Sequence, residues 1–211
     1  MSGRSGVLAA LLTCSACLAY TGGARALDPA QLVNEPGWIV AGATPALRQR
    51  STYDCGAAAL AMVAERWNVA LSTEAAAAAL PTLTPAGVQL GDLRDVARAH
   101  HLLAYAIAGT RDTLTHELTA GRPVIVGLAL PYGARHVAYH FEVVVATRIA
   151  TDQFATIDPA TGWRVRTWSQ LDAEWRVVGR PALVLLGPAP SPIAVTVATT
   201  GSAASSASPR R

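Results

Sequence analysis

Apolar positions along this chain recur on two different periods, and the change falls near Gly121. Before it the spacing is helical. Leu60, Val63 and Trp67 share one face of the run Cys55 to Trp67, and Leu90, Leu93, Val96 and Ala97 share one face of Leu90 to His101. Strong helix formers fill both runs. Ser72 is placed to cap a further helix through Ala75 to Leu80, closed by Pro81, and Thr110 to Ala120 is stopped by Gly121 and Pro123. Between them Leu102 to Ala108 is short, apolar and strand-like, as is Trp38-Ile39-Val40.

After Gly121 the apolar runs are short and separated by turn residues. Pro123 to Leu130, His140 to Arg148, Phe154 to Ile157, Trp163 to Thr167 and Ala182 to Leu186 read as strands. Thr151-Asp152 and Pro159-Ala160-Thr161-Gly162 are the turns of antiparallel hairpins, and Ser169 caps a short helix to Trp175. Helices followed by sheet predict an α+β fold, with N-terminal helices packed on a C-terminal antiparallel sheet.

The ends differ from the body. Residues 1–26 read as a secretory signal: Arg4 in a basic start, an apolar stretch from Val7 to Tyr20, and Ala24-Arg25-Ala26 as a small-residue cleavage site. The expected domain is 27–187, in a periplasmic or secreted protein with no integral membrane segment after signal removal. Lipidation at Cys14 or Cys17 is the second route, although neither precursor sequence matches a lipobox well. Residues 188–211 collapse to Pro, Ala, Ser, Thr and Gly with two terminal arginines, the composition of a disordered tail.

Charge narrows the function classes. Without Arg4, Arg25, Arg210 and Arg211 the formal +3 becomes −1 over 27–209, with no basic stripe to bind nucleic acid. No lysine occurs among the 17 basic residues, which excludes a phosphate-loop lysine, a Schiff base and a Ser-Lys dyad.

Cys55 is the only thiol of the expected domain and falls at a helix N-terminus, where free N–H groups and the helix dipole favour a thiolate. Gly56 beside it leaves room for a substrate backbone, and the Gln49 amide offers an oxyanion donor beside the Cys55 N–H. A small buried hydrophobe is the competing reading of a lone Cys. His140 opens a strand after the loop Pro131 to Tyr139, and Asp158 ends the next strand. A hairpin around Thr151-Asp152 would set the two opposite each other. Glu142 shares His140's side of the strand, as a neighbour of the site or an exposed residue. A zinc pair of His136 and His140 is disfavoured because the segment is not helical. Tyr53, Tyr132, Tyr139 and Trp163 suit either a substrate groove or the core, with core favoured for Trp163.

Gln-x4-Asp-Cys-Gly-Ala-Ala-Ala-Leu-Ala-Met, a strand beginning His-Phe, and Asp-Pro-x-x-Gly occur here in that order. Over residues 45 to 187 the chain resembles the papain-like peptidases best known as the bacteriocin-processing domain of double-glycine-leader ABC transporters. Gly87-Val88-Gln89-Leu90 and Gly121-Arg122-Pro123-Val124-Ile125-Val126 also match elements of that family. The resemblance implies a papain-like fold, a cysteine peptidase without cofactor or metal, Cys55 as nucleophile, His140 as base and acid, Asp158 as its orienter and Gln49 as oxyanion donor.

Here no transmembrane bundle or nucleotide-binding motif accompanies these motifs, and a secretion signal is read instead. The chain looks more like stand-alone exported relatives, some of which accompany secretion or functional-amyloid systems, and the expected partner is a peptide or protein substrate of such a system. Two rivals stay open: a non-catalytic peptide-binding or chaperone-like module, and another thioester-forming amide hydrolase or acyl transferase on the same residues.

Overall fold

A computed structural model describes residues 19–81 and 88–189. The expected signal core, with Cys14 and Cys17, Gly87 of the family-matched segment, and the tail beyond Ala189 lie outside the described residues. In chain order the elements are β1 (Arg25–Ala26), α1 (Gln31–Asn34), β2 (Ile39–Val40), α2 (Cys55–Arg66), α3 (Thr73–Ala79), α4 (Leu90–Ala99), β3 (Leu102–Ala108) and α5 (Arg111–Thr119). Then follow β4 (Val124–Tyr132), β5 (His136–Arg148), β6 (Gln153–Asp158), β7 (Gly162–Thr167), α6 (Trp168–Trp175) and β8 (Pro181–Pro188). The strands form one antiparallel sheet ordered β1-β7-β6-β5-β4-β8-β3, with β2 also paired to β5.

The sheet has an apolar side chain for each face because its central strands alternate. Ile125, Val143, Val145, Ile157, Leu183 and Leu185 pack with α2, α3 and α4 in one core. Their neighbours Val124, Val126, Leu128, Val144, Phe154 and Val184 pack with Leu114 and Leu118 of α5 and Leu171 and Trp175 of α6 in the other. The fold is α+β as expected, with helices on both faces.

Helix α2 is the buried one. Every residue from Cys55 to Ala64 is buried, and its alanines let it lie close on the sheet. Gly56 has a different use from the one its sequence context suggested: a Cβ there would sit 2.8 Å from Val88 Cγ2, 3.2 Å from Phe141 Cδ2 and 3.3 Å from Leu93 Cδ1. The space beside Gly56 Cα is filled by protein, and the glycine lets α2 approach β5.

Two boundaries differ from expectation. Strand β5 begins at His136, so 131–139 is no loop: β4 and β5 stay paired from Val124↔Val144 to Tyr132↔His136. His140 therefore sits inside a long hairpin whose tip residues 136–139 are solvent-exposed and carry no burial signal. Helix α6 is capped by Thr167, not Ser169; Thr167 and Gln170 form a reciprocal capping box.

At the ends, β1 pairs Arg25 with Val165 and Ala26 with Arg164, and Ala189 N–H donates to the His101 carbonyl at 2.6 Å. The sheet thus includes residues on both sides of the span 27–187.

Candidate active site

Cys55 is the first residue of α2, where the N–H groups of the opening turn have no carbonyl within the helix. Asp54, one residue earlier, is buried, and its carboxylate turns back on the preceding loop instead of capping the helix. Its Oδ2 accepts from Arg50 N–H at 3.1 Å and its Oδ1 from Ser51 N–H at 3.0 Å. This folds the Gln49–Asp54 loop against the head of α2. Gln49 is tied to the β6–β7 turn through its own N–H, which donates to the Pro159 carbonyl at 3.0 Å. Its side-chain Nε2 donates to Ser51 O at 2.9 Å, which uses one amide hydrogen and leaves the other free. Its Oε1 is buried without a partner.

His140 Nε2–H donates to Asp158 Oδ1 at 2.7 Å, and Cys55 lines the same cleft as the ring. With Nε2 engaged by Asp158, Nδ1 is the ring nitrogen left for the thiol. Asp158 is held by three donors: His140, Ala160 N–H at 2.7 Å and the Thr161 hydroxyl. Burial by itself would raise the Asp158 carboxyl, but the hydrogen bond and charge of His140, with Thr161 and Ala160, pull it down to about 2. Burial alone would lower the His140 imidazole; Asp158 and Cys55 outweigh it and push the ring up to about 10. Only 10% of the His140 side chain and 6% of that of Asp158 reach solvent, so the pair works where charge interactions are strong.

Behind this pair lies a charged cluster that was not legible as such in the sequence. Arg166 is buried and grips Glu142 with two hydrogen bonds of 2.7 Å, from its two terminal nitrogens. Its Nε–H donates to Glu174 Oε2 at 2.9 Å. Thr156 donates to Glu142 Oε2 at 2.6 Å, and the Tyr20 hydroxyl donates to Glu174 Oε1. The Arg166 guanidinium, against the pull of its own burial, is held more firmly protonated by these carboxylates.

Among the described residues, His140, Glu142 and Asp158 are the one group with donor atoms close enough to share a metal, within 4.8 Å of one another. Glu142 is already gripped by Arg166 and Thr156, and Asp158 by its three donors, so the residues present fit a proton-transfer site better than a metal site.

A cleft of about 450 Å³ opens on Cys55, His140, Asp158 and Gln49, walled by Tyr53, Val88, Tyr132, Val137, Tyr139 and Phe141. Three of the four aromatic residues left open between groove and core thus face the cleft; Trp163 packs on the core. The four sequence-predicted site residues meet there. Sequence reasoning missed Asp54, Thr161 and Arg166. Asp54 could have been found from its place before the nucleophile candidate. Arg166 carries no local signal, because its partners lie 24 and 8 residues away. Such a cleft suits acyl transfer: a thiol against an imidazole, a carboxylate fixing that imidazole, and N–H donors beside the sulfur.

The comparisons agree with this chemistry. Residues 43–180 match the model of the peptidase C39 family. No curated protein matches the chain. Among solved structures, a double glycine motif protease from an AMS/PCAT transporter, crystallised in complex with the leader peptide, is similar at 21% identity and TM-score 0.55, covering 68% of this chain and 91% of its own. The peptidase domain of Streptococcus ComA, a bi-functional ABC transporter involved in a quorum sensing pathway, is similar at 22% identity and TM-score 0.55, covering 69% and 97%. A protein described as a C39-like peptidase from Bacillus anthracis is similar at 14% identity and TM-score 0.59, covering 72% and 99%. These likenesses show the papain-like fold, and the match over 43–180 places the chain, as a cysteine-type peptidase, in the peptidase C39 family.

Proposed function

We propose that this chain is an exported peptidase that cuts a peptide bond by thioester chemistry at Cys55. The observation that carries the reading is the imidazole of His140, held at 2.7 Å by Asp158 in the cleft that Cys55 and Gln49 also line. His140 takes the thiol proton, and Cys55 Sγ attacks the scissile carbonyl carbon. The developing oxyanion accepts hydrogen bonds from the Cys55 backbone N–H and the free Gln49 Nε2–H. Collapse of the intermediate breaks the C–N bond, and the leaving amine takes the proton from His140 Nδ1. Water then gives a proton to His140 while its oxygen attacks the thioester; release of the carboxylic acid returns the proton to sulfur.

The substrate is a peptide or an extended protein segment. The structurally similar transporter protease was crystallised with a leader peptide, and the aromatic lining of the cleft here, Tyr53, Tyr132 and Tyr139, suits an extended peptide. Export is supported by the basic start and apolar run at the N-terminus. A substrate of the secretion or functional-amyloid type fits that route. Among the described residues no helix is long and apolar enough to cross a membrane.

The test is hydrolysis of a peptide library by the purified protein and by Cys55→Ala. The reading requires new peptide termini with the native protein and none with the variant. Full cleavage by the variant contradicts it, and an acyl group transferred to an amine in place of hydrolysis would favour the acyl-transfer reading.

A further inference from the structure

The segment just before Leu27 is built into the enzyme. Tyr20 bridges to Tyr132, with Thr21 N–H on the Pro131 carbonyl and Gly133 N–H on the Ala19 carbonyl, both at 3.0 Å. The Tyr20 and Tyr132 rings meet edge to face at 5.8 Å between centroids. The Tyr20 hydroxyl donates to Glu174 in the buried Arg166 cluster and accepts from Ala24 N–H at 2.9 Å. Gly22 and Gly23 then press on α6: a Cβ on Gly22 would overlap the Glu174 carboxylate and the Tyr20 ring, and one on Gly23 would overlap the Gln170 side chain. Ala24 is buried, its carbonyl accepts from Arg164 at 3.1 Å, and Arg25–Ala26 completes the sheet edge on β7.

We infer that Tyr20–Ala26 is a structural strap of the active enzyme and that leader processing ends before Tyr20, not after Ala26. A discarded leader has no need of a phenol that reaches a buried carboxylate, of two glycines where no side chain fits, and of an edge strand in register. A chain starting at Leu27 would lose all three. Glu174 Oε1 would lose the donor that Tyr20 supplies, next to the carboxylate of Glu142, and the β7 edge would be bare. In sequence, the small residues Ser15-Ala16 before Cys17 precede the strap and have the residue types that a leader peptidase or a lipidating enzyme takes. This inference rests on the export reading only for the existence of a leader.

The test has two arms, both on the full chain expressed in a Gram-negative host. The first is the intact mass and N-terminal sequence of the protein recovered outside the cytoplasm. A first residue at or before Ala19, free or lipidated, is the expected result; a first residue at Ala24 or Leu27 overturns the inference. The second is thermal unfolding of Tyr20→Phe and Gly22→Val beside the native protein. A drop in melting midpoint of about 5 °C or more is expected for each, the size of a lost hydrogen bond to a buried charge in a domain of this length. Unchanged midpoints for both overturn it. If export fails, the second arm still decides the strap, so failure of the export reading stays distinguishable.

Discussion

His140 and Asp158 touch at 2.7 Å without being cross-strand partners. The β5–β6 register sets Val143 opposite Ile157 and Val144 opposite Thr156, so one step further along it is Glu142, not His140, that faces Asp158. The sequence expectation of a direct pair is off by two residues because the hairpin turns later in the chain, closing with Arg148 opposite Gln153 around the 3-10 turn Ile149–Thr151. The bulge between Val144 and Ala146 takes up one further residue of β5 and keeps the offset from being three. His140 reaches Asp158 as a diagonal neighbour on the same face, a distance an imidazole spans easily. The offset leaves the directly opposed place to Glu142, which Arg166 then neutralises.

That geometry suits Asp158 to the proposed role of orienting His140. Asp158→Ala is expected to lower kcat while leaving activity about 10²-fold above that of Cys55→Ala, since the thiol and imidazole still meet. Steady-state kinetics on a cleaved peptide checks this; equal loss would make Asp158 structural.

Gln49 is expected to act on the transition state alone. Gln49→Ala should lower kcat on the order of 10²-fold with little change in KM, read from the same assay. A rise in KM with kcat intact would assign Gln49 to substrate binding.

The cluster behind the site predicts a stability effect. Arg166→Met leaves Glu142 and Glu174 buried without their shared partner, at a cost of about 3–5 kcal/mol. Urea unfolding measures it as a lowered midpoint. A loss below about 1 kcal/mol would show that the carboxylates find other partners.

The ion pair also sets a pH window. His140 is raised from 6.5 to about 10, so its contribution is full below about pH 6.5 and is lost as pH rises through 10. Asp158 is lowered from 3.8 to about 2, so its contribution is full above about pH 3.8 and is lost as pH falls through 2. Urea midpoints are therefore expected to be highest between about pH 4 and 6.5, with both limbs flatter in Asp158→Asn.

Much of this was legible from local pattern. Helix α2 and its cysteine, strand β3, the Ser72 cap and the strands β4, β6, β7 and β8 follow from spacing, apolar runs and turn residues alone. The early start of β5 was hidden because His136, Val137, Ala138 and Tyr139 all face solvent, while Pro131 and Gly133 read as loop. The bulge carries no residue signature. Glu142 reads either as a neighbour of the site or as an exposed residue, and Arg166 and Glu174 carry no local sign of burial, since only tertiary pairing makes it tolerable. Gly56 looked like an opening for substrate because its true neighbours, Val88 and Phe141, are distant in sequence.

The most direct measurement is the rate of alkylation of Cys55 by iodoacetamide at about pH 6, in the native protein and in His140→Ala. With His140 in place to take the thiol proton, the native protein is expected to be alkylated and the variant to react at least about tenfold more slowly. Equal rates in the two proteins, or a Cys55 inert in both, would contradict the pairing of Cys55 with His140 on which the proposed chemistry stands.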